Sequence, residues 1–420
     1  MTLAITQFGA SLVGLARDSL LARTFPDLGV VDVYIAAFRP SDLLFQVGIM
    51  SAMGTILVPI LASHTARGRE EEMHRTLSST IITGSILFGC MALLLSSIFH
   101  LVAPAFVRFS GPSLDLYIRF GRLALITNFL FVTGNAAGQY LIAHQRYWIY
   151  GITPILYTLG TIGGTILLTP RFGPMGPMMG TLAGAILYVA LRLCGIVAHG
   201  FRFRLTLWHP DLQEMGILML PRMLALGALQ TQLLFFDRIA SGLDAGSVTI
   251  NTYARNFQSV IVGVAGIAVA QSAYSLLSQA AAGGEDQRFR IYLRKGIGLL
   301  LGVTIAGAVL LVLLAPVAAR LVHLSRVLNV FSIALLFYAI SIPLESINHL
   351  LLRAYYATKN TFIPAVFSVL AGITAVTTAW ILVDRFGLYG LGISYTLAQA
   401  VLILGLALFL RRRIDHIARS

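Results

Sequence analysis

Residues 171–176 read Arg-Phe-Gly-Pro-Met-Gly, and nearly the same six residues return at 385–390 as Arg-Phe-Gly-Leu-Tyr-Gly. The similarity extends well beyond these positions. At a constant shift of 214 positions and without gaps, the stretch Gln139–Gly200 resembles the stretch from Arg353 to the C-terminus. Because this shift is about half of 420 residues, the sequence predicts two copies of one helical bundle. Such internal duplication is typical of membrane transporters.

The composition is that of an integral membrane protein. The mean hydropathy is +0.83, and 57% of the residues are hydrophobic, whereas only 11% are charged. In an ordinary soluble domain, about a quarter of all residues are charged. The composition therefore excludes an ordinary soluble fold and makes lipid the expected solvent for most of the chain.

Twelve apolar stretches are long enough to cross a bilayer as helices, which takes about 20 residues each. We expect an all-α membrane protein with two pseudo-symmetric six-helix lobes, 1–205 and 206–420, around a central cavity. The segment 1–16 lacks a basic n-region, so we expect the first helix to be retained and not cleaved as a signal peptide. The stretches lie near 3–23, 33–62, 78–103, 114–143, 147–169, 174–198, 215–240, 248–280, 292–318, 327–352, 361–383 and 387–410.

Basic residues predict the orientation, because Lys and Arg near helix ends stay on the cytoplasmic side. If the N-terminus is inside, the cytoplasmic connections are the richer ones in Arg and Lys, so both termini should be cytoplasmic. The net charge of +13 then reflects topology together with attraction to anionic membrane lipids. Nucleic-acid binding is a poor explanation, because the basic residues are spread over many short loops.

Charged residues cluster inside the apolar stretches, where they are costly unless they face water, a partner or a substrate. Asp32, Arg39 and Gln46 recur every seven residues and fall along one stripe of a helix. We expect such stripes on helices of both lobes to line a shared hydrated cavity, although each residue alone could equally belong to an internal ion pair. The other charged candidates are Arg17, Asp18, Arg23, Asp42, Asp237, Arg255, Glu345 and His349.

The chemistry of arginine favours an anionic, phosphate-bearing substrate. The chain has 28 Arg and 2 Lys, and the planar guanidinium pairs bidentately with phosphate. No motif of a soluble enzyme and no metal-binding Cys/His spacing occurs, so we expect neither catalysis nor a bound metal. His209 and three other histidines lie singly near predicted helix ends, where we expect interfacial or loop roles. Active transport would then draw on a gradient, with Na+ or H+ as a coupling ion.

Two segments carry a resemblance to a known family. Residues 14–18, Gly-Leu-Ala-Arg-Asp, followed by Asp32 and by Ala-Ala-Phe-Arg at 36–39, resemble the opening of the MurJ/MviN lipid II flippases. Residues 246–254, from Gly-Ser-Val to Tyr-Ala, are similar to the family's segment in the eighth helix. The chain is thereby identified as a member of the wider superfamily of MATE-like flippases, and of its MurJ branch.

The resemblance implies a flippase for a polyprenyl-pyrophosphate-linked sugar, which is lipid II or a related lipid-linked oligosaccharide, in the bacterial cytoplasmic membrane. By position, Arg17, Arg23, Asp32 and Arg39 match charged cavity residues of the family. The sequence also departs from the family, since Phe45-Gln46 stands where the family has two arginines, and Arg255 stands one position before its Asp-Arg pair. The branch also continues with two helices beyond the twelfth.

Two other functions remain open at this point. A cation-coupled exporter of small molecules would use Glu345 with His349, or Asp237, as ion sites, and the excess of arginine argues against it. A non-transporting scaffold that recruits envelope-synthesis enzymes ranks last, because the short loops leave little surface for partners and buried charges would have no use.

Overall fold

The chain folds almost entirely into helices in the computed structural model. The structure describes residues 2–417, without the side chains of 3, 4, 55, 221, 411–413 and 415–417. Two compact units, Met1–Gln230 (unit 1) and Thr231–Ser420 (unit 2), divide the chain within one helix. The division lies beyond the predicted lobe boundary at 205/206, and the two functional lobes stay a prediction.

Unit 1 holds eight helices and most of a ninth. Three short π-helical turns, Gln46–Met50, Met53–Leu57 and Gly164–Leu168, interrupt the predicted spans. The helices are α1 Thr2–Thr24, α2 Gly29–Phe45, α3 Val58–Ala66, α4 Glu70–Phe106, α5 Pro112–Ala143, α6 Tyr147–Gly163, α7 Thr169–Phe172, α8 Met175–Ala198 and α9 Pro210–Ala240.

Unit 2 contains the end of α9 and seven further helices. It has one π-helical turn, Val262–Ile267, and one 3₁₀ turn, Ser325–Val327. The helices are α10 Ser247–Ile261, α11 Ala268–Ala282, α12 Asp286–Leu313, α13 Ala315–Leu321, α14 Leu328–Ala357, α15 Phe362–Phe386 and α16 Tyr389–Ile417.

Nine helices of the described chain are long and apolar enough to cross a membrane. A tenth is added if Pro210–Leu220 and Arg222–Ala240 form one span. The predicted spans near 3–23 and 33–62 are helical but do not meet this test, since Arg17 and Asp18 lower the hydropathy of α1 and π-helical turns divide the second span. The count of twelve therefore stays a prediction, while the all-α membrane fold is confirmed.

The two copies of the repeat share their turn geometry. Gly173 has φ 55° and ψ −135°, and Gly387, its counterpart 214 positions later, has φ 53° and ψ −135°. Gln145 and Lys359 correspond in the same way and have φ of 59° and 55°. A positive φ is uncommon for residues other than glycine. Its recurrence at matched positions shows that the duplication seen in the sequence is a structural one.

Helices α6 and α8 approach each other through glycines. A Cβ atom on Gly160 would lie 2.5 Å from the Cα of Gly184, and one on Gly164 would lie 2.5 Å from the Cα of Gly180. No side chain fits at these crossings. Gly160 and Gly164 thus allow close helix contact, as in other membrane helix pairs with small residues four apart.

Candidate functional site

The arginine of the first motif is paired with its sequence neighbour. Arg17 donates from Nε at 2.9 Å and from Nη2 at 2.7 Å to the same oxygen, Oδ1, of Asp18. The Arg17 side chain is 26% exposed and the Asp18 side chain 12% exposed. The Arg17 side chain thus stays partly exposed although it is part of an ion pair.

Arg23 and Asp32 lie on either side of the turn between α1 and α2. Arg23 is exposed in the last turn of α1, where a cation is favoured by the helix dipole. Asp32 is buried in the first turn of α2, where an anion is favoured for the same reason. This burial makes Asp32 a poor direct ligand for a large substrate, and a better support for the residues near it.

Arg39 and Asp42 belong to a polar cluster between α2 and α5. Asp42 Oδ1 accepts a hydrogen bond of 2.9 Å from Asn128 Nδ2, which also donates to the hydroxyl of Ser41. Arg39 is half-buried and interacts electrostatically with Asp42. Asn128 of α5 thus fixes the carboxylate of Asp42 near Arg39, which belongs to the predicted stripe on α2.

Tyr157 on α6, which the sequence did not single out, links the two clusters of unit 1. It is within electrostatic range of both Arg17 and Asp42. Its ring packs against Phe131 with centroids 5.0 Å apart. A single tyrosine in an apolar stretch of sequence does not indicate a functional site. The position of Tyr157 near Arg17 and Asp42 follows only from the packing of α1, α2 and α6.

The side chain of Arg192, a second residue that the sequence did not single out, is enclosed within unit 1. It is 1% exposed and donates to Thr153 Oγ1 at 2.8 Å, Gly134 O at 2.9 Å and Tyr150 O at 3.2 Å. Its guanidinium carbon also lies 4.1 Å from the ring centroid of Tyr188. These contacts compensate the buried positive charge of Arg192 without a carboxylate, and they join α5, α6 and α8.

Unit 2 has its own polar cluster around Glu345. Glu345 Oε2 accepts from Gln258 Nε2 at 2.7 Å and from the Tyr395 hydroxyl at 2.8 Å. His349 Nε2 is 4.0 Å from Glu345 Oε1, and Arg255 is within electrostatic range of Tyr395. The structure thus brings Arg255, Glu345 and His349 into one neighbourhood. Asp237 is 2% exposed near the end of α9.

A further polar cluster was missed because its members are distant in sequence. Asp211 Oδ2 lies 2.7 Å from His64 Nε2 and 2.5 Å from Thr76 Oγ1, and His209 Nε2 lies 2.9 Å from Glu72 Oε2. A carboxylate only accepts, so the two imidazoles donate from Nε2. The expectation that His209 lies singly was therefore wrong. We call His64, Glu72, Thr76, His209 and Asp211 the clasp.

The clasp holds the start of α9 and the segment before it against α3 and α4. The backbone N–H of Asp211, in the first turn of α9, is 3.3 Å from His209 Nδ1, which accepts in the neutral tautomer. Among the described residues, no group of three or more His, Cys, Asp or Glu is arranged to hold a metal ion. The clasp is therefore a hydrogen-bonded fastening of helix ends.

The candidate arginines of unit 1 supply positive charge for an anion, since Arg23 is exposed and Arg17 and Arg39 are half-buried. The cluster of unit 2 can exchange a proton or hold a cation at Glu345. Neither cluster contains a nucleophile activated by a base, so binding is the chemistry that these residues support.

Comparison with known proteins gives the family. The model of the lipid II flippase MurJ family matches residues 21–419. A probable lipid II flippase MurJ of Bdellovibrio bacteriovorus is 24% identical over 412 residues, which are 94% of this chain and 79% of that protein. The lipid II flippase MurJ of Burkholderia cenocepacia is 22% identical over 96% of this chain and 81% of its own length.

Solved structures of the same fold include members of two branches. A lipid II flippase MurJ in an inward closed conformation superposes with a TM-score of 0.82 at 21% identity, covering 99% of this chain and 89% of that one. An inward-facing multidrug resistance MATE transporter superposes with a TM-score of 0.84 at 17% identity, covering 98% and 96%. At these identities the structures show the fold, and the family model distinguishes the branches. The chain belongs to the lipid II flippase MurJ family.

Proposed function

We propose that this protein moves a polyprenyl-pyrophosphate-linked sugar, which is lipid II or a related lipid-linked oligosaccharide, across a bacterial cytoplasmic membrane by alternating access. The observation that carries the proposal is the match of the family model over residues 21–419, nearly the whole chain. It is supported by the relatives, since proteins called lipid II flippase MurJ, or probable lipid II flippase MurJ, align with most of the sequence.

The proposed role of the arginines is to neutralise the pyrophosphate. Arg17, Arg23 and Arg39 of unit 1 would bind phosphate oxygens. Arg255, half-way along α10, is the corresponding candidate within unit 2. Each charge-assisted hydrogen bond of this kind contributes about 1.5–3 kcal/mol. The Arg17–Asp18 pair supports the assignment, because Asp18 orients the guanidinium while the Arg17 side chain stays 26% exposed.

Glu345 of unit 2 is the proposed binding site for the ion that drives transport. Glu345 is anchored by Gln258 and Tyr395 and lies near His349, so it can bind H+ or Na+ with a defined geometry. A coupling ion changes a conformational equilibrium only if it binds the two states with different affinity. We assign that difference to the hydrogen bonds of Glu345, which join α14 to α10 and α16.

Co-purification of the lipid substrate tests whether Arg17 and Arg39 bind its pyrophosphate. The protein is extracted with its native lipids and analysed by native mass spectrometry for a co-purifying isoprenoid diphosphate. We expect the wild type to retain it and the Arg17→Gln, Arg39→Gln double variant to retain at least tenfold less, because two charge-assisted contacts are lost. Thermal unfolding of the purified variant verifies that it is folded.

Arg288→Gln is the matched control, because Arg288 is exposed at the start of α12 and pairs with Glu285. Its retention of the diphosphate should equal that of the wild type. A wild-type protein without any isoprenoid diphosphate, or equal retention in the double variant, would contradict the assignment of these arginines.

A cation-coupled exporter of small molecules is the second candidate, and the Glu345 cluster is the observation that favours it. Efflux of a cationic dye from cells that express the protein, abolished by Glu345→Gln, would support this function. Glu214→Gln is the control, since Glu214 is an exposed carboxylate in unit 1. No dye efflux above that of cells without the protein would exclude this candidate.

A further inference from the structure

A groove runs between α4 and α5 on the surface of unit 1. It has a volume of about 300 Å³, and its walls are mostly apolar. Gly89, Ala92 and Ser96 follow one another along one face of α4, and their small side chains leave the space open. The remaining lining residues are Leu93, Arg122, Leu125, Ile126 and Phe129.

The groove is separate from the polar cluster of the same helix. Asn128 is buried and directed at Asp42 of α2, whereas its neighbour Phe129 is 39% exposed and lines the groove. Adjacent residues of a helix point about 100° apart. Occupancy of the groove therefore does not depend on the substrate-binding residues proposed above.

Arg122 gives the groove one charged end. Its Nε donates to the carbonyl oxygen of Ser96 at 3.3 Å, and no carboxylate among the described residues is within ion-pair distance of it. Arg119, three residues earlier on the same face, is also exposed and has no such partner in the described part of the chain. Arg122 thus lines the groove with donors left for an anion, and Arg119 lies one turn away on the same helix face.

Helix geometry places this end at a membrane surface. Arg122 precedes the last residue of α5, Ala143, by 21 residues, or about 32 Å at 1.5 Å per residue. The hydrocarbon core of a bilayer is about 30 Å thick. With Ala143 at one boundary, Arg122 is at the other, and its long side chain reaches the headgroups.

We propose that this groove binds one anionic phospholipid from the leaflet on the Pro112 side of α5. Its phosphate pairs with Arg122 and Arg119, and one acyl chain lies along Ala92, Gly89 and Phe129. The groove extends about 10 Å from Ser96 to Gly89, which suits part of one straight chain. With the N-terminus in the cytoplasm, this is the outer leaflet.

Native mass spectrometry with defined lipids tests the site. The purified, delipidated protein is titrated with phosphatidylglycerol and, separately, with phosphatidylcholine. We expect a first phosphatidylglycerol to bind more tightly than phosphatidylcholine, and Arg122→Gln to weaken it about fivefold by loss of one interfacial charge. Arg122→Lys, which keeps the charge, should stay within about twofold of the wild type.

Two further variants distinguish binding in the groove from a general attraction of anionic lipids to exposed arginines. Ser96→Phe fills the groove and should weaken the binding of both lipids, whereas Arg146→Gln removes an exposed arginine beyond the other end of α5 and should have no effect. Equal binding in Arg122→Gln and the wild type would overturn the proposal, as would an equal loss in Arg146→Gln. Unchanged binding in folded Ser96→Phe would overturn the placement of the chain. Preferential capture of added undecaprenyl phosphate over phosphatidylglycerol would overturn the choice of lipid. None of these outcomes bears on transport.

Discussion

At the scale of single residues, Arg192 is the clearest case of a charge that the fold itself requires. Its three hydrogen bonds end on oxygens of α5 and α6, and its guanidinium lies against two tyrosine rings. Gly138 leaves room for it, because a Cβ there would lie 2.4 Å from Arg192 Nη1. The side chain thus fastens three helices at once.

Replacement of Arg192 should destabilise the protein. Arg192→Met removes the donors and leaves the carbonyls of Gly134 and Tyr150 without these partners, at a cost of about 1–3 kcal/mol. Arg192→Lys should recover only part of the loss, since one ammonium cannot reach three acceptors and stack on the rings. Thermal unfolding in detergent measures both variants. An Arg192→Met variant as stable as the wild type would contradict the fastening role.

Three other arginines carry a sequence signal that Arg192 lacks. Arg17, Arg23 and Arg39 stand out because they lie in a family motif or a seven-residue stripe. Arg192 has neither signal, and its partners come from residues 134–153, about 40–60 positions earlier. Contacts between such distant positions are set by helix packing, which composition and periodicity do not determine.

At the scale of helices, the glycines of α6 offer a matched pair of substitutions. Gly160→Ala would put a methyl group 2.5 Å from the backbone of α8, whereas a Cβ on Gly163 meets nothing within 4 Å. Overpacking of this kind costs about 1–3 kcal/mol. We expect Gly160→Ala to lower the unfolding temperature and Gly163→Ala to leave it unchanged or slightly raised, since alanine favours helix. Equal effects of the two would show that α6 and α8 are not in contact here.

The clasp makes a second prediction about helix ends. Asp211→Asn weakens the hydrogen bonds from His64 and Thr76, so the start of α9 should open more often. Hydrogen exchange of residues 204–212 should become about tenfold faster or more, which corresponds to a loss of about 1.4 kcal/mol. Glu214→Gln, an exposed carboxylate one turn further, is the control and should not change exchange. No difference between the two variants would argue against the clasp.

Helix positions were largely predictable from hydropathy, and their interruptions were not. Nine predicted spans correspond to helices that pass the length and composition test, but the π-helical turns at 46–50, 53–57, 164–168 and 262–267 had no sequence signal. A π-turn changes the hydrogen-bond register by one residue, which leaves the apolar pattern nearly intact. Such turns are frequent at functional sites, and two of them follow directly on α2 and α10, which carry Arg39 and Arg255.

At the scale of the whole chain, duplication is the organising feature. It was visible in the Arg-Phe-Gly motifs, and the matched positive φ angles of Gly173 and Gly387 confirm it. The division into two compact units falls inside α9, where hydropathy shows no break, so the sequence has no signal for it. The predicted lobe boundary at 205/206 stays a prediction.

The proposed transport of a pyrophosphate-linked lipid by the arginines can be measured directly. Purified protein is reconstituted into vesicles, and the transfer of a fluorescent polyprenyl-pyrophosphate sugar between leaflets is measured by quenching from outside. We expect faster transfer than in protein-free vesicles for the wild type and for Arg288→Gln, and a loss of at least tenfold in the folded Arg17→Gln, Arg39→Gln variant. Transfer no faster than in protein-free vesicles, or unchanged transfer in the double variant, would contradict the proposal.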